Sequence, residues 1–456
     1  MKYQSAIVAC ITFCCLFGLL SADPSMVIEV FRHGARDGKN SPRLNISFPN
    51  SGELTPVGMH QHFLLGQALR AKYPNLLTTF DASNILARAS DYNRTLMSTY
   101  SQVFGVYEGT AGNFDPSYPL NLALPPINIG NVSYNFSAVL PNSSVSIPIQ
   151  DMELNNDVLL QAGGPACPYA DQLLNQNMNN GTLPGEIAQI FNGTLIQLGQ
   201  IFNVSDFGIQ DALALYDALV SCEYNNYSMP GNISLSSDLG KNVSFIYNYV
   251  ATYAGFGTLQ QDQLQSTYLL NDILNKFSSK INGTSNLTFV FYGGHDTTLL
   301  PVLGLFNIVT LDCIYKNFFN NSNQPWCVQP LFASHLIFEL YLNDSGSGQN
   351  TVRLTYNDQP FNACNTTTGN CTFEQFQSFV LQALGPFTPA QYDTVCNRTF
   401  GPGPFVVNVP VSLGVKIGVI LASILAVMLI LAIAWTLIKK KRIESEIPPE
   451  HNYMQA

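Results

Sequence analysis

The sequence predicts an α/β domain: a mainly parallel central sheet flanked by helices, with an inserted α-helical cap. Three observations predict it. Short apolar runs at residues 26–31, 84–87 and 287–292 have the length and composition of buried strands. Stretches with apolar residues at helical spacing separate them. Each run also stops abruptly at a loop bearing Arg, His or Asp, as chemistry-bearing loops do at strand ends in open α/β sheets.

The chain has 456 residues and a formal net charge of −10. That balance argues against a nucleic-acid partner, because phosphate backbones reward clustered basic residues. Hydrophobic residues make up 46% of the chain, which argues against intrinsic disorder.

The elements follow in order. Residues 1–22 read as a secretory signal peptide: Lys2, then an almost wholly apolar run at 6–20, then the small Ser21 and Ala22. The first strand, 26–31, ends at Arg32-His33-Gly34-Ala35-Arg36, and Asp37-Gly38 continues as a loop. A helix follows over 56–73. Thr55 can cap it, Pro56 suits its first position, and Met59/Phe63 and Leu65/Leu69 pair at i,i+4. The second strand ends at Arg88-Ala89-Ser90-Asp91, and a helix runs over 94–106. Residues 108–239 are rich in Asn, Pro and Gly, with helical patches at 188–202 and 207–221; they read as the cap. Helical pattern resumes at 243–255 and 260–277. The third strand ends at Gly293-Gly294-His295-Asp296. Residues 334–342 and 351–356 form an expected antiparallel hairpin at the sheet edge.

The apolar run 417–438 covers roughly 33 Å as a helix, enough to span a bilayer. Lys439 to Arg442 follow it and place the tail 439–456 in the cytoplasm. The expected organisation is a lumenal or extracellular domain over 23–405, with its α/β core at about 23–107 and 240–400, on one C-terminal transmembrane helix. Frequent Asn-x-Ser/Thr sequons, among them Asn131, Asn192 and Asn282, suit a glycosylated single-pass protein of the cell surface or endolysosome. A lipid-anchor signal competes for the C-terminus, but such tails usually end in the apolar stretch itself.

The strand-end loops carry the residue types that move a phosphoryl group. Arg32, Arg36 and Arg88 can grip a phosphate dianion through planar guanidiniums, with protonated His295 as a further donor. A neutral His33 is a competent nucleophile at phosphorus, and Asp296 can protonate the leaving alkoxide. Each motif alone is weak. Arg88 alone is most often a surface or ion-paired residue, Asp91 and Arg94 read as structural partners in the next helix, and His60 and His62 as surface or packing groups. Order and strand-end placement together carry the signal. No CxxC pair with matching ligands appears, so structural zinc is not expected.

At these residues the chain resembles the histidine acid phosphatases, branch 2 of the histidine phosphatase superfamily. The loop at Arg32 is similar to that family's Arg-His-Gly-x-Arg-x-Pro signature. Leu54-Thr55-Pro56-Val57-Gly58 resembles its Leu-Thr-x-x-Gly helix start, Arg88 to Thr95 its Arg-Ser-x-Asp-x-x-Arg-Thr segment, and Gly294 to Thr298 its His-Asp box. The resemblance runs from about residue 27 to 396. It implies an acid phosphatase acting on phosphate monoesters through a phosphohistidine at His33. Arg32, Arg36, Arg88 and His295 would hold phosphate, and Asp296 would donate the proton. No cofactor or metal is implied. Related enzymes are often dimers, which makes a homodimer one candidate partner state, but no interface stripe shows in the sequence and the oligomeric state stays open.

Gly38 departs from the signature's Pro, and Ala89 from its Ser; neither supplies a reacting group. Asp37, read as near the entrance, adds a negative charge there. The resemblance also implies disulfides Cys167–Cys396 and Cys364–Cys371. Cys313–Cys327 is sequence-local and leaves Cys222 free, with a bridge from Cys222 to either one as the alternative. The rival functions are a phytase or lysophosphatidate phosphatase on the same scaffold, and a non-catalytic surface binding protein. An intact His33 and Asp296 argue against the last.

Overall fold

A computed structural model describes residues 23–111, 145–179, 182–320, 322, 324–343, 348–364 and 371–398. The signal peptide, the span at 417–438 and the tail lie outside the described residues, as does 112–144 of the cap. Among the described residues no helix is long and apolar enough to cross a membrane.

Strand β1 (Met26–Arg32) leads into helix α1 (Pro56–Lys72), strand β2 (Ile85–Ala89) and helix α2 (Asn93–Tyr107). Four helices then follow: α3 (Pro168–Asn179), α4 (Thr182–Ile190), α5 (Asn192–Phe202) and α6 (Ile209–Asn225). The long α7 (Asp238–Phe256) and α8 (Leu259–Ile281) return the chain to β3 (Phe289–Gly294), α9 (Asp296–Leu305) and α10 (Leu311–Phe319). Strands β4 (His335–Tyr341), β5 (Thr351–Tyr356), β6 (Gln359–Phe361) and β7 (Cys371–Thr372) precede α11 (Phe373–Leu384) and α12 (Pro389–Val395). The single helical patch expected at 188–202 is two helices, broken at the buried Phe191.

The strand order is β2-β3-β1-β4-β5-β6, with β7 also on β5. β2, β3 and β1 run parallel. β4 is antiparallel to β1, and β5 to β4, β6 and β7. The sheet is therefore mixed, not mainly parallel as expected. The reason is connectivity: a parallel neighbour needs a crossover of a dozen or more residues, usually a helix, whereas β4 and β5 are joined by a short loop. The expected hairpin is present, but β4 is an interior strand.

Both faces of the sheet are covered. Met26, Ile28, Val30, Tyr292 and Phe338 face a large core that includes Leu215 of α6, Ile246 of α7 and Ile273 of α8. On the other face, Val27, Phe31, Phe289, Phe291 and Ile337 share a second core with Leu69 of α1, Tyr73, and Val103 and Tyr107 of α2. Burial on both faces explains the continuous apolar runs.

The start of α1 holds the loop after β1. Thr55 accepts a hydrogen bond from the Gly58 N–H, and Pro56 opens the helix. Gly34 and Gly58 let loop and helix touch. A Cβ on Gly58 would lie 2.1 Å from the Ala35 carbonyl oxygen, and one on Gly34 would lie 2.4 Å from that of Gly58.

Three disulfides close the described chain: Cys167–Cys396, Cys313–Cys327 and Cys364–Cys371. Cys222 is a buried free thiol.

Candidate active site

His33 follows the last residue of β1, and its N–H donates to the Gly294 carbonyl at 3.0 Å, tying it to the end of β3. Its ring is buried. Nδ1 lies 2.8 Å from the Gly34 carbonyl, an acceptor, so Nδ1 carries the proton and Nε2 keeps its lone pair. Burial foremost, then Arg32, His295 and Arg94, hold His33 well below the usual histidine range. Its ring therefore stays neutral further into acid than a free histidine.

His295 and Asp296 open α9 at the end of β3. The His33 and His295 rings lie 5.4 Å apart. Ser90 Oγ donates to Thr95 and so accepts from His295 Nε2, at 2.8 Å. His295 Nδ1 faces Arg94 Nη2 at 3.5 Å. His295 is not the standing cation expected from sequence: burial, then Arg94, push it down to about 3.

Arg32 pairs with Asp296 at 2.8 Å and stacks on Phe332 at 4.5 Å. Arg36 pairs with Asp217 of α6 at 2.5 Å. Burial works to raise the Asp296 carboxyl, but Arg32, His295 and Arg36 outweigh it and hold it below the usual carboxylate range. A cavity of about 610 Å³ gathers Arg32, His33, Arg36, Arg94, His295 and Asp296 on its walls, together with Asp217. Among the described residues no group of three or more His, Cys, Asp or Glu is placed to hold a metal ion.

A family model described as the histidine phosphatase superfamily, branch 2, matches residues 25–357. The chain belongs to this family. It is 25% identical over 425 residues to the lysosomal acid phosphatase of Xenopus laevis, covering 90% of this chain and 86% of that one. It is 25% identical over 354 residues to the prostatic acid phosphatase of Bos taurus, covering 75% and 79%. The phytase of Citrobacter braakii shares the fold with a TM-score of 0.55 at 14% identity, over 79% of this chain and 98% of that one.

In this histidine phosphatase, four of the five cationic or histidine site residues expected from sequence meet at the cavity, and Asp296 meets them there. Arg88 does not. It lies inside β2 rather than after it, and Nη2 pairs at 2.6 Å with the fully buried Asp157. Asp157 also accepts from the N–H groups of Leu159 and Leu160, so Arg88 anchors that segment to the sheet. Arg94 lines the cavity instead. It sits in the first turn of α2, where side chains lean back toward the helix start, and Tyr92 packs on it at 4.3 Å. Its position in the segment Arg88 to Thr95 was the available signal.

Asp37 is also placed differently. It is buried, accepts from the Asn50 N–H and the Tyr227 hydroxyl, and does not line the cavity. Gly38 stands against Phe48: a Cβ there would lie 2.5 Å from the ring. The cavity-lining carboxylate in place of Asp37 is Asp217 on Arg36, while Arg43, which also lines the cavity, is held by Asp206 and Asp211. No sequence signal pointed to them.

Proposed function

We propose that this protein is an acid phosphatase that hydrolyses phosphate monoesters through a phosphohistidine at His33. The observation that carries this reading is the buried His33, its Nε2 lone pair left free by the Nδ1 bond, on a wall shared with Arg32, Arg36, Arg94 and Asp296.

The phosphate dianion takes the place of carboxylates on the guanidiniums of Arg32 and Arg36, and Arg94 adds a third. That exchange releases Asp296 from Arg32. The dianion also raises His295 and Asp296, because negative charge nearby favours their protonated forms. His33 Nε2 then attacks phosphorus, the phosphorus–oxygen ester bond breaks, and Asp296 gives its proton to the leaving oxygen. In the second step the Asp296 carboxylate takes a proton from water. The resulting hydroxide attacks phosphorus, the phosphorus–nitrogen bond breaks, and phosphate leaves. Positioned positive charge does most of the work.

The remaining organisation follows from sequence: a signal at 1–22, a cap over about 108–239, a span at 417–438, and an active site outside the cytoplasm. The lysosomal relatives and the three disulfides support an extracytoplasmic, oxidising location.

Steady-state turnover of p-nitrophenyl phosphate by the chain ending near Arg398, from pH 3 to 8, tests the activity. Turnover is expected on the acid side, because His33 stays neutral there, and should fall as Asp296 loses its proton in the complex. A folded protein without turnover on this or other monoesters overturns the reading.

Two arginine variants separate their roles. Arg94→Ala is expected to lower kcat/KM by about 10²–10³-fold with little change in urea unfolding. Arg88→Ala leaves Asp157 unpaired and should cost about 3–5 kcal/mol of stability.

A further inference from the structure

Beneath the cavity, on the sheet face covered by α1 and α2, lies a chain of buried polar groups that the chemistry above does not use. His62 Nε2 lies 3.1 Å from the main-chain carbonyl of Arg32, and Nδ1 lies 2.8 Å from Gln102 Oε1. The Gln102 amide nitrogen donates to Glu29 Oε2. Glu29 Oε1 lies 2.9 Å from His335 Nδ1. Glu29, His62 and Gln102 are fully buried, so bulk water cannot supply a missing hydrogen.

The hydrogens can be counted. A backbone carbonyl and an amide oxygen only accept, so His62 as placed must donate from both ring nitrogens, which requires the imidazolium. Turning the Gln102 amide over satisfies a neutral His62. It then sets Oε1 against Glu29 Oε2, and that contact needs a protonated Glu29. Either way every contact is made only if the group holds one proton more than neutral His62 and ionised Glu29 together. Without it, one contact is acceptor against acceptor, which in a buried site is costly.

We infer that His62 and Gln102 are positioning residues for the nucleophile, clamping the carbonyl that precedes His33 through a proton shared with Glu29. The clamp is complete in acid and opens as the proton leaves. This rests on the phosphatase reading for its kinetic readout only.

The surroundings favour loss of the proton outside the acid range. Burial pushes His62 down to about 4, against its bonds to Gln102 and Arg32. Phe31 packs on its ring at 5.2 Å. His335 is a like charge: burial opposes its proton, but Asp358 and Glu29 outweigh burial and raise it to about 9. Asp358 is itself paired with Lys72 at 3.0 Å. The other charged and titratable groups on this face include Glu339, which accepts from the Tyr73 and Tyr341 hydroxyls, Arg353 over the Tyr341 ring, the buried Tyr107 of α2, and Arg70 of α1, which donates to the Glu108 carbonyl.

Glu29→Gln tests the inference. The amide that this substitution introduces can donate to a turned Gln102, which donates to neutral His62, whose Nε2–H stays on the Arg32 carbonyl. The oxygen of the new amide still accepts from His335. Every contact is then made without the extra proton. On p-nitrophenyl phosphate, whose good leaving group mutes the demand on Asp296, acid-side kcat should stay within about twofold of wild type. The ratio of kcat at pH 7 to that at pH 3.5 should rise at least about threefold. A folded Glu29→Gln protein whose pH profile superimposes on wild type overturns the inference. A second measurement needs neither turnover nor a stable Glu29 variant: ring-nitrogen NMR of ¹⁵N-histidine-labelled wild type, with His62 assigned by His62→Asn. A titration of the His62 nitrogens in the acid range is expected; nitrogens that do not shift from pH 3.5 to 8 overturn the clamp. If wild type fails to turn over, the phosphatase reading falls, and this titration still decides the clamp.

Discussion

His33→Ala is expected to abolish turnover, with kcat reduced about 10⁴-fold or more and the fold retained. The nucleophile is the one group whose work nothing else in the cavity can take over. His295, the other imidazole, offers no free lone pair toward substrate: its Nε2 donates to Ser90 and its Nδ1 faces Arg94. Removing the His33 ring takes away a buried imidazole but leaves its backbone bond to Gly294 in place. The loop should therefore stay anchored, and circular dichroism with urea unfolding should show a folded protein. Phosphate should still bind the variant through Arg32, Arg36 and Arg94. That separates loss of chemistry from loss of the site.

Asp296→Asn has the second largest expected effect, and its size should depend on the leaving group. An alkoxide with a pKa near 15 cannot leave without a proton, so kcat on an alkyl phosphate should fall about 10²–10⁴-fold. Nitrophenolate needs little help, so the loss on p-nitrophenyl phosphate should be markedly smaller for the phosphorylation step. The variant also removes the partner of Arg32. A guanidinium without its carboxylate binds phosphate more readily, so KM should fall or hold while kcat drops. Rapid-quench and steady-state kinetics over a series of leaving groups measure both. Equal losses in the rapid-quench phosphorylation rate across the series would mean that Asp296 acts by holding Arg32 and not by moving a proton.

What the sequence displays well is local. Thr55-Pro56 marks the start of α1, and the strand-end loops bearing His33 and His295 are visible because apolar runs stop there abruptly. What it hides depends on distant partners. Arg88 and Arg94 are six residues apart and chemically identical. Only Asp157, in a segment of no clear pattern, decides that Arg88 turns to an ion pair while Arg94 enters the cavity. Asp217 meets Arg36 across 181 residues of chain, and a lone acid on a helix carries no such message. His62 looks like any polar residue on a helix until Gln102 and the Arg32 carbonyl are placed beside it. The mixed sheet was hidden for a related reason. β4 is buried along its whole length, like a parallel strand, because helices cover both faces of the sheet.

The covalent intermediate is the central claim, and trapping it is the most direct test. Asp296→Asn should accept phosphate from ³²P-labelled p-nitrophenyl phosphate yet release it slowly, because no carboxylate activates the water. Quenched in base, where phosphohistidine survives, the protein should carry label on the peptide containing His33, and the label should be lost in acid. Turnover by this variant with no labelled His33 peptide, or with the label on another residue, would contradict the account.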